Sequence, residues 1–207
     1  MSTVAPEVSI RVHILDAALE AFAEKGYHGA TIREIAARSG VSVAGLYHHF
    51  PSKQRLLEHL MADTMDRLIE VTEATVREAG DNPRARLEAA VAAHVRFHID
   101  YQRESFVGNT ELRSLEDACR GEVVRKRDHQ REIFRRAVLD GVRQGVFTVE
   151  LPEEAGRAIV TMCTAVATWY RAHGPLDAEE IVRRYRQLAL LVVGYRPAPG
   201  SGVGEQH

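Results

Sequence analysis

The stretch TIREIAARSGVSVAGLYHHFPSKQRLL, residues 31–57, decides the fold of the first part of the chain. Thr31 is followed three residues later by Glu34, a spacing at which the hydroxyl and the carboxylate can each bind a free backbone N–H at a helix start. Ser39-Gly40 ends this short helix, because glycine accepts the left-handed backbone of a tight helix end. Ser42 can then cap a further helix. The stretch therefore predicts two short helices joined by a three-residue turn.

The segments on either side of this stretch also have a helical pattern. Upstream, Gly26 ends a helix whose apolar residues recur at spacings of three and four. Downstream, Pro51 ends the short helix, and Ser52 caps a long amphipathic segment that runs to about Ala79. The upstream apolar row is Ile10, Ile14, Ala17, Ala18, Ala21 and Phe22.

The rest of the chain predicts more helices and no strands, because no alternating pattern of apolar and polar residues occurs. Asn82 caps the next helix and Pro83 occupies its first position. The predicted helices span about 83–101, 104–118, 121–144, 152–171 and 178–194. We predict an all-α protein of about nine helices, divided into an N-terminal domain (1–52), a C-terminal helical domain (53–196) and a disordered tail (197–207).

Composition excludes several classes of protein. With 207 residues, 45% hydrophobic and 27% charged, the chain has the composition of an ordinary soluble globular protein. Its longest apolar run, Leu188 to Val193, is far shorter than a membrane span, and no leader pattern precedes the first helix. The two cysteines lie far apart, which is typical of a protein in the reducing cytoplasm. We therefore expect a cytoplasmic protein. We also expect no membrane partner and no cofactor. A net charge of −2 means that any nucleic-acid partner must be argued from local features.

The first three helices match the helix-turn-helix pattern of DNA-binding proteins. Ser42, Val43, Ala44 and Gly45 are small, so the start of the third helix can approach base edges in the major groove of double-stranded DNA. Hydroxyl and cationic side chains around it suit phosphate oxygens. The predicted DNA contacts are Thr31, Arg33, Ser42, Val43, Ala44, Tyr47, His48, Ser52 and Lys53.

Residues 31–56 resemble the DNA-binding signature of the TetR family of bacterial transcriptional regulators, T-x-x-x-I-A-x-x-x-G-V-S-x-x-x-L-Y-x-H-F-x-x-K-x-x-L, and every marked position is present in register. The resemblance implies an N-terminal three-helix DNA-binding domain and a C-terminal domain that forms the homodimer and holds a small-molecule pocket. It implies a repressor that binds a palindromic operator and is released by a small effector.

A second resemblance concerns ATWYRAHGPLDAEEIVRRY, residues 167–185. It is similar to the end of the ligand domain in TetR-type regulators of actinobacterial sterol-ring and acyl-coenzyme A metabolism. This resemblance implies an acyl-coenzyme A effector, with another hydrophobic metabolite as the alternative. The predicted pocket walls are Phe97, Tyr101, Arg113, Met162 and Trp169. The predicted two-fold interface uses Ala158, Ile159, Met162, Val166, Leu188 and Val192 beside Ala155, Ala165 and Ala189.

An alternative function stays open at this point. The first 55 residues carry six positive and five negative side chains, a small excess for DNA binding. A helical ligand-binding or enzyme module that no longer binds DNA would have the same composition. No G-x-S-x-G, P-loop or dinucleotide-binding glycine motif supports an enzyme. His94 and His98 have a metal-ligand spacing, but pocket lining or solvent exposure is favoured because no H-E-x-x-H motif completes a metal site.

Overall fold

The computed structural model describes residues 4–197, with side chains from Ile10 onward, and within this range every regular element is helical. The helices are α1 (Val4–Gly29), α2 (Ile32–Arg38), α3 (Val43–His49), α4 (Lys53–Glu78), α5 (Pro83–Asp100), α6 (Gln102–Thr110), α7 (Asp117–Arg143), α8 (Pro152–Thr164), α9 (Val166–Trp169) and α10 (Ala178–Val192), with a 3-10 turn at Leu112–Ser114. The prediction of an all-α fold with about nine helices is confirmed for these residues. The predicted tail, apart from Pro197, lies outside them.

Local capping side chains set several helix starts, as the sequence predicted. The Thr31 hydroxyl accepts from the Glu34 N–H at 3.2 Å, and the Ser42 hydroxyl accepts from the Gly45 N–H at 3.0 Å. Asn82 caps α5 in the same way. Gly26 has a φ of 68°, which breaks the helical backbone within α1.

Three predicted features differ from the structure, and in each case a side-chain contact that the pattern did not predict is present. The Glu34 carboxylate binds Lys25 and Arg38 rather than the start of α2. The helix predicted at 104–118 ends at Thr110, because Gln54 and Arg120 bind the carbonyls of the following turn. The helix predicted at 152–171 is interrupted at Ala165. Gln102 donates to the Ala167 carbonyl of the short α9 that follows and to the Tyr170 carbonyl just after it.

The chain forms two compact units. The first unit comprises Met1–Glu70, Phe97–Gln130 and Val166–Tyr170. Its core joins α1 to α4 with α6 and the start of α7 through buried side chains such as Phe22, Leu46, Leu57 and Val123. Residues from 14 to 62 in this core thus share one apolar interior with residues 107 to 123.

The second unit comprises Val71–Arg96, Arg131–Ala165 and Arg171–His207. Within its described residues, α8 packs against α10, with Ile159 and Ile181 almost fully buried. His94 is buried here beside the Phe134 ring and shares a hydrogen bond of 3.0 Å with the Thr164 hydroxyl. Among the described residues, no helix combines the length and the apolar character that a membrane crossing needs.

Candidate functional site

The helix α3 is held by buried apolar residues and leaves its small side chains exposed. Leu46 is fully buried and Phe50 nearly so, whereas Val43 is 37% and Tyr47 46% exposed. This arrangement anchors one face of α3 in the core and offers the other to a groove of DNA. Of the nine predicted contact residues, Ser52 and Lys53 are half-buried, and the exposed ones are Thr31, Arg33, Ser42, Val43, Ala44, Tyr47 and His48.

Three of the predicted phosphate or base contacts are hydroxyls that already cap helices. Thr31, Ser42 and Ser52 each accept a hydrogen bond from a backbone N–H three residues later. A hydroxyl that accepts in this way still has its hydrogen to donate. Each capping side chain is therefore fixed in place and able to donate to an oxygen on DNA, next to the partial positive charge of a helix N-terminus.

Lys53 has a role within the protein that the sequence did not predict. Its ammonium group donates to the carbonyls of Tyr27 (2.7 Å) and Ala30 (2.9 Å) and lies 4.2 Å from the centre of the Tyr27 ring. Burial lowers the pKa of this ammonium. Two of its three N–H groups are used in these bonds, which leaves one for a phosphate oxygen.

Ion pairs engage several cations of the first 55 residues. Arg38 binds Glu24 and Glu34, and Lys25 also binds Glu34. The hydrogen bond from Lys25 lowers the pKa of the Glu34 carboxyl. Arg33, in contrast, is exposed and has no ion-pair partner among the described residues. Although the net charge of this segment is small, the Arg33 guanidinium is therefore available to a phosphate.

A small, partly open cavity lies between α4, α5, α6 and α7 in the first unit. Its volume is about 20 Å³, room for one water molecule. The Ser105 hydroxyl faces this region, is 4% exposed, and has no hydrogen-bond partner in the described structure. The apolar walls are Met61, Met65, Leu68, Phe97 and Val123, and the remaining walls are Thr64, His98, Glu104, Ser105, Gly108, Asn109 and Arg127.

An open groove of about 480 Å³ adjoins the cavity at Asn109, which lines both spaces. The other lining residues are Thr110, Leu112, Arg113 and Arg120. The groove is thus basic, whereas five of the twelve residues that line the cavity are apolar. Together they can hold a molecule with an apolar part and an anionic part.

The five predicted pocket residues are distributed unevenly over these spaces. Phe97 lines the cavity and its ring lies 4.7 Å from that of Tyr101, which packs under Arg67. Arg113 lines the groove. Trp169 is 41% exposed in α9, and Met162 is half-buried in the second unit. Neither of these two is among the residues that line the cavity or the groove.

Sequence analysis missed Ser105 and Asn109. They lie four residues apart on α6, a spacing that places two polar side chains on one helix face. That spacing was the available signal.

The predicted two-fold interface needs a partial correction. Four of the predicted residues are buried within the protomer and so belong to its core: Ala155, Ile159, Val166 and Ala189. Leu191, which the prediction omitted, is 73% exposed and lies on α10 with Leu188 and Val192, both partly exposed. We name these three residues and the exposed α8-side residues Ala158 and Ala165 the α8–α10 apolar face.

Two family models match this chain. The model described as "Bacterial regulatory proteins, tetR family" matches residues 14–60, and "Tetracyclin repressor-like, C-terminal domain" matches residues 80–193. The chain belongs to the TetR family. It is therefore a helix-turn-helix transcriptional regulator, and its relatives are regulators rather than enzymes.

Individual TetR-family proteins are similar over nearly the whole chain. The transcriptional repressor KstR2 of Mycobacterium tuberculosis is 29% identical over 196 residues, which are 92% of this chain and 96% of KstR2. A TetR-family regulator from Rhodococcus RHA1 is 30% identical, with a TM-score of 0.84 over 95% of this chain and all of that one. AibR, solved with isovaleryl coenzyme A and operator DNA, shares the fold at 23% identity, with a TM-score of 0.81 over 90% of this chain and all of AibR.

Proposed function

We propose that this chain is a homodimeric repressor whose effector is an amphipathic anion, an acyl-coenzyme A or a similar hydrophobic acid. The observation that carries the proposal is the adjacency of the cavity, with its five apolar walls, and the groove with Arg113 and Arg120. The apolar walls suit an acyl chain, and the two arginines suit phosphate or carboxylate groups. KstR2 is named a repressor, and AibR binds isovaleryl coenzyme A, which supports the same class of effector.

The cavity must enlarge to take such a molecule, since it now has room for one water. Met61 and Met65 in its wall are flexible side chains that repack easily. An effector that binds the enlarged form better than the closed one shifts the population towards the enlarged form, and any DNA affinity tied to that change follows.

DNA binding is assigned to residues 1–52, with Ser52 and Lys53 completing the contact at the start of α4. Residues 53–196 hold the effector and form the dimer. A two-fold dimer places two copies of α3 about 34 Å apart, or a multiple of that distance, so the operator is a palindrome. Because operator DNA lies in the cytoplasm of a bacterium, the protein works there.

The proposal is tested by selecting duplexes that bind the purified chain from random DNA, then titrating the complex with isovaleryl coenzyme A, a long-chain acyl-coenzyme A and free coenzyme A. We expect a palindromic operator to emerge and at least one acyl thioester to release it, while free coenzyme A does not. Tight binding of acyl-coenzyme A by a chain that selects no duplex would support the alternative, a helical ligand-binding or enzyme module.

Substitution of Val43 should change which bases the protein prefers. Val43 is exposed at the start of α3, where an apolar side chain can contact a thymine methyl group. Val43→Ala removes two methyl groups from that position, so we expect roughly a threefold to tenfold change in discrimination at one base pair of each half-site. Competition between selected duplexes measures this change. Arg33→Ala is the matched control, because loss of a phosphate contact weakens all duplexes equally.

Effector binding should alter the fluorescence of Trp169, the only tryptophan. Gln102 of α6 donates to the carbonyls of Ala167 and Tyr170 on either side of it, and α6 also supplies walls of the cavity. An effector that displaces α6 therefore displaces the surroundings of Trp169. We expect its emission to change with the same half-saturation as operator release, and Trp169→Phe to abolish the signal but not the release. Release without a change in emission would place the effector elsewhere.

A further inference from the structure

The side-chain amide of Gln54 holds the segment between α6 and α7. Its Nε2 donates to the Ser114 carbonyl at 2.9 Å, and its Oε1 accepts from the Glu116 N–H at 3.1 Å. We name residues 111–116 the α6–α7 connection. An amide donates through its nitrogen and accepts through its oxygen, so the one side chain makes both bonds.

Gln54 follows Lys53, whose hydrogen bonds connect the end of α1 to the start of α4. The Lys53 ammonium binds the carbonyls of Tyr27 and Ala30, in the segment that leads into α2. Two consecutive residues of α4 thus bind two different segments: Lys53 binds the DNA-binding helices, and Gln54 binds the α6–α7 connection. All of these residues belong to the first unit.

The α6–α7 connection is also a wall of the basic groove. Leu112 and Arg113 line that groove, and Arg120 donates to the Leu115 carbonyl at 2.7 Å. At the other side, the Glu111 carboxylate accepts from the Ser114 hydroxyl and lies beside Gly26, where a Cβ would be 3.3 Å from its oxygen. The connection therefore touches the groove on one side and the end of α1 on the other.

We infer that Gln54 is a positioning residue that couples the basic groove to the DNA-binding helices. An anion that binds Arg113 or Arg120 changes the place of the α6–α7 connection, and the two amide bonds carry that change to the first turn of α4. The inference rests on the proposed function, because it names the regulation of the same groove. Coupling is reciprocal, so operator binding must in turn affect the connection.

The experiment uses this reciprocity and needs no effector. Hydrogen exchange of the Glu116 amide, which donates to Gln54, is measured in the full chain with and without saturating operator duplex. In the wild type we expect operator binding to slow this exchange by about fivefold or more, the lower end of typical coupling between two sites. In Gln54→Ala, exchange should be faster and equal in the two states.

Two further variants separate coupling from simple stabilisation. Gln54→Glu keeps the shape and the acceptor but sets a carboxylate against the Ser114 carbonyl, so it should lose the operator effect as the alanine variant does. Gln102→Ala removes another glutamine with two carbonyl bonds and should retain it.

The outcomes distinguish this inference from the proposed function. The inference is overturned if operator does not slow exchange of the Glu116 amide in the wild type. It is also overturned if operator slows this exchange in Gln54→Ala and Gln54→Glu as much as in the wild type. DNA binding stands in both cases. A wild-type chain that binds no duplex overturns the proposed function and this inference with it.

Discussion

Lys53→Ala should lower the affinity for operator by about tenfold to a hundredfold at every sequence, and reduce the slope of log affinity against log salt by about 1. The substitution removes the proposed phosphate contact and also the bonds to the Tyr27 and Ala30 carbonyls. Those two carbonyls then lose their ammonium partner, and the end of α1 is no longer fixed to α4. Fluorescence anisotropy with a labelled operator at three salt concentrations measures both quantities.

Two controls separate the causes of this loss. Lys25→Ala removes a lysine from the same segment, but that lysine pairs with Glu34 on the surface, so affinity should stay within about threefold. Lys53→Gln keeps an N–H donor for the two carbonyls but removes the charge. Its operator affinity should be higher than that of Lys53→Ala, while its salt slope should stay below that of the wild type. Equal losses in Lys25→Ala and Lys53→Ala would show that only the overall charge matters.

The sequence predicted helix starts well because the groups that set them are neighbours in the chain. Thr31, Ser42 and Asn82 cap the helices that the pattern assigned to them, since each reaches an N–H only three residues away. The DNA-binding signature of residues 31–56 was likewise recognisable because all of its positions lie in one contiguous segment. Such features depend on local geometry and need no knowledge of the tertiary fold.

Where the predicted helix bounds were wrong, the deciding partner lies far away in sequence. Gln54 is 60 residues from Ser114, and Gln102 is 65 residues from Ala167. These bonds satisfy carbonyls at points where the periodicity alone continues the helix, so α6 ends early and α9 is separate from α8. Glu34 was expected at the start of α2, but Lys25 and Arg38 compete for its carboxylate.

The candidate site was harder to predict than the fold for the same reason. Phe97 and Arg113 were predicted as pocket walls and do line the cavity or the groove, but Ser105 and Asn109 were not predicted. Which polar residue faces a cavity depends on how α6 is rotated against its neighbours, and one helix pattern leaves that rotation undetermined. The predicted DNA contacts stay predictions, with exposure that suits them.

The double variant Leu188→Asp with Leu191→Asp should convert the dimer to a monomer at micromolar concentration and lower operator affinity by about a hundredfold or more, since half-sites then bind independently. The two leucines are 44% and 73% exposed on α10, beside the exposed Ala158 and Ala165 of α8. Small residues let helices approach closely, and buried carboxylates without partners would oppose that contact.

Leu151→Asp is the matched control for this pair. Leu151 is 62% exposed in the same unit but precedes α8 as its N-cap residue, outside the α8–α10 apolar face. An aspartate is a favourable N-cap, so this variant should keep its assembly state and its operator affinity. Sedimentation gives the molecular mass, and anisotropy gives the affinity. If the double variant stayed dimeric, or if Leu151→Asp dissociated equally, the two-fold contact would lie on another face, and exposure of Leu191 would need a different partner to explain it.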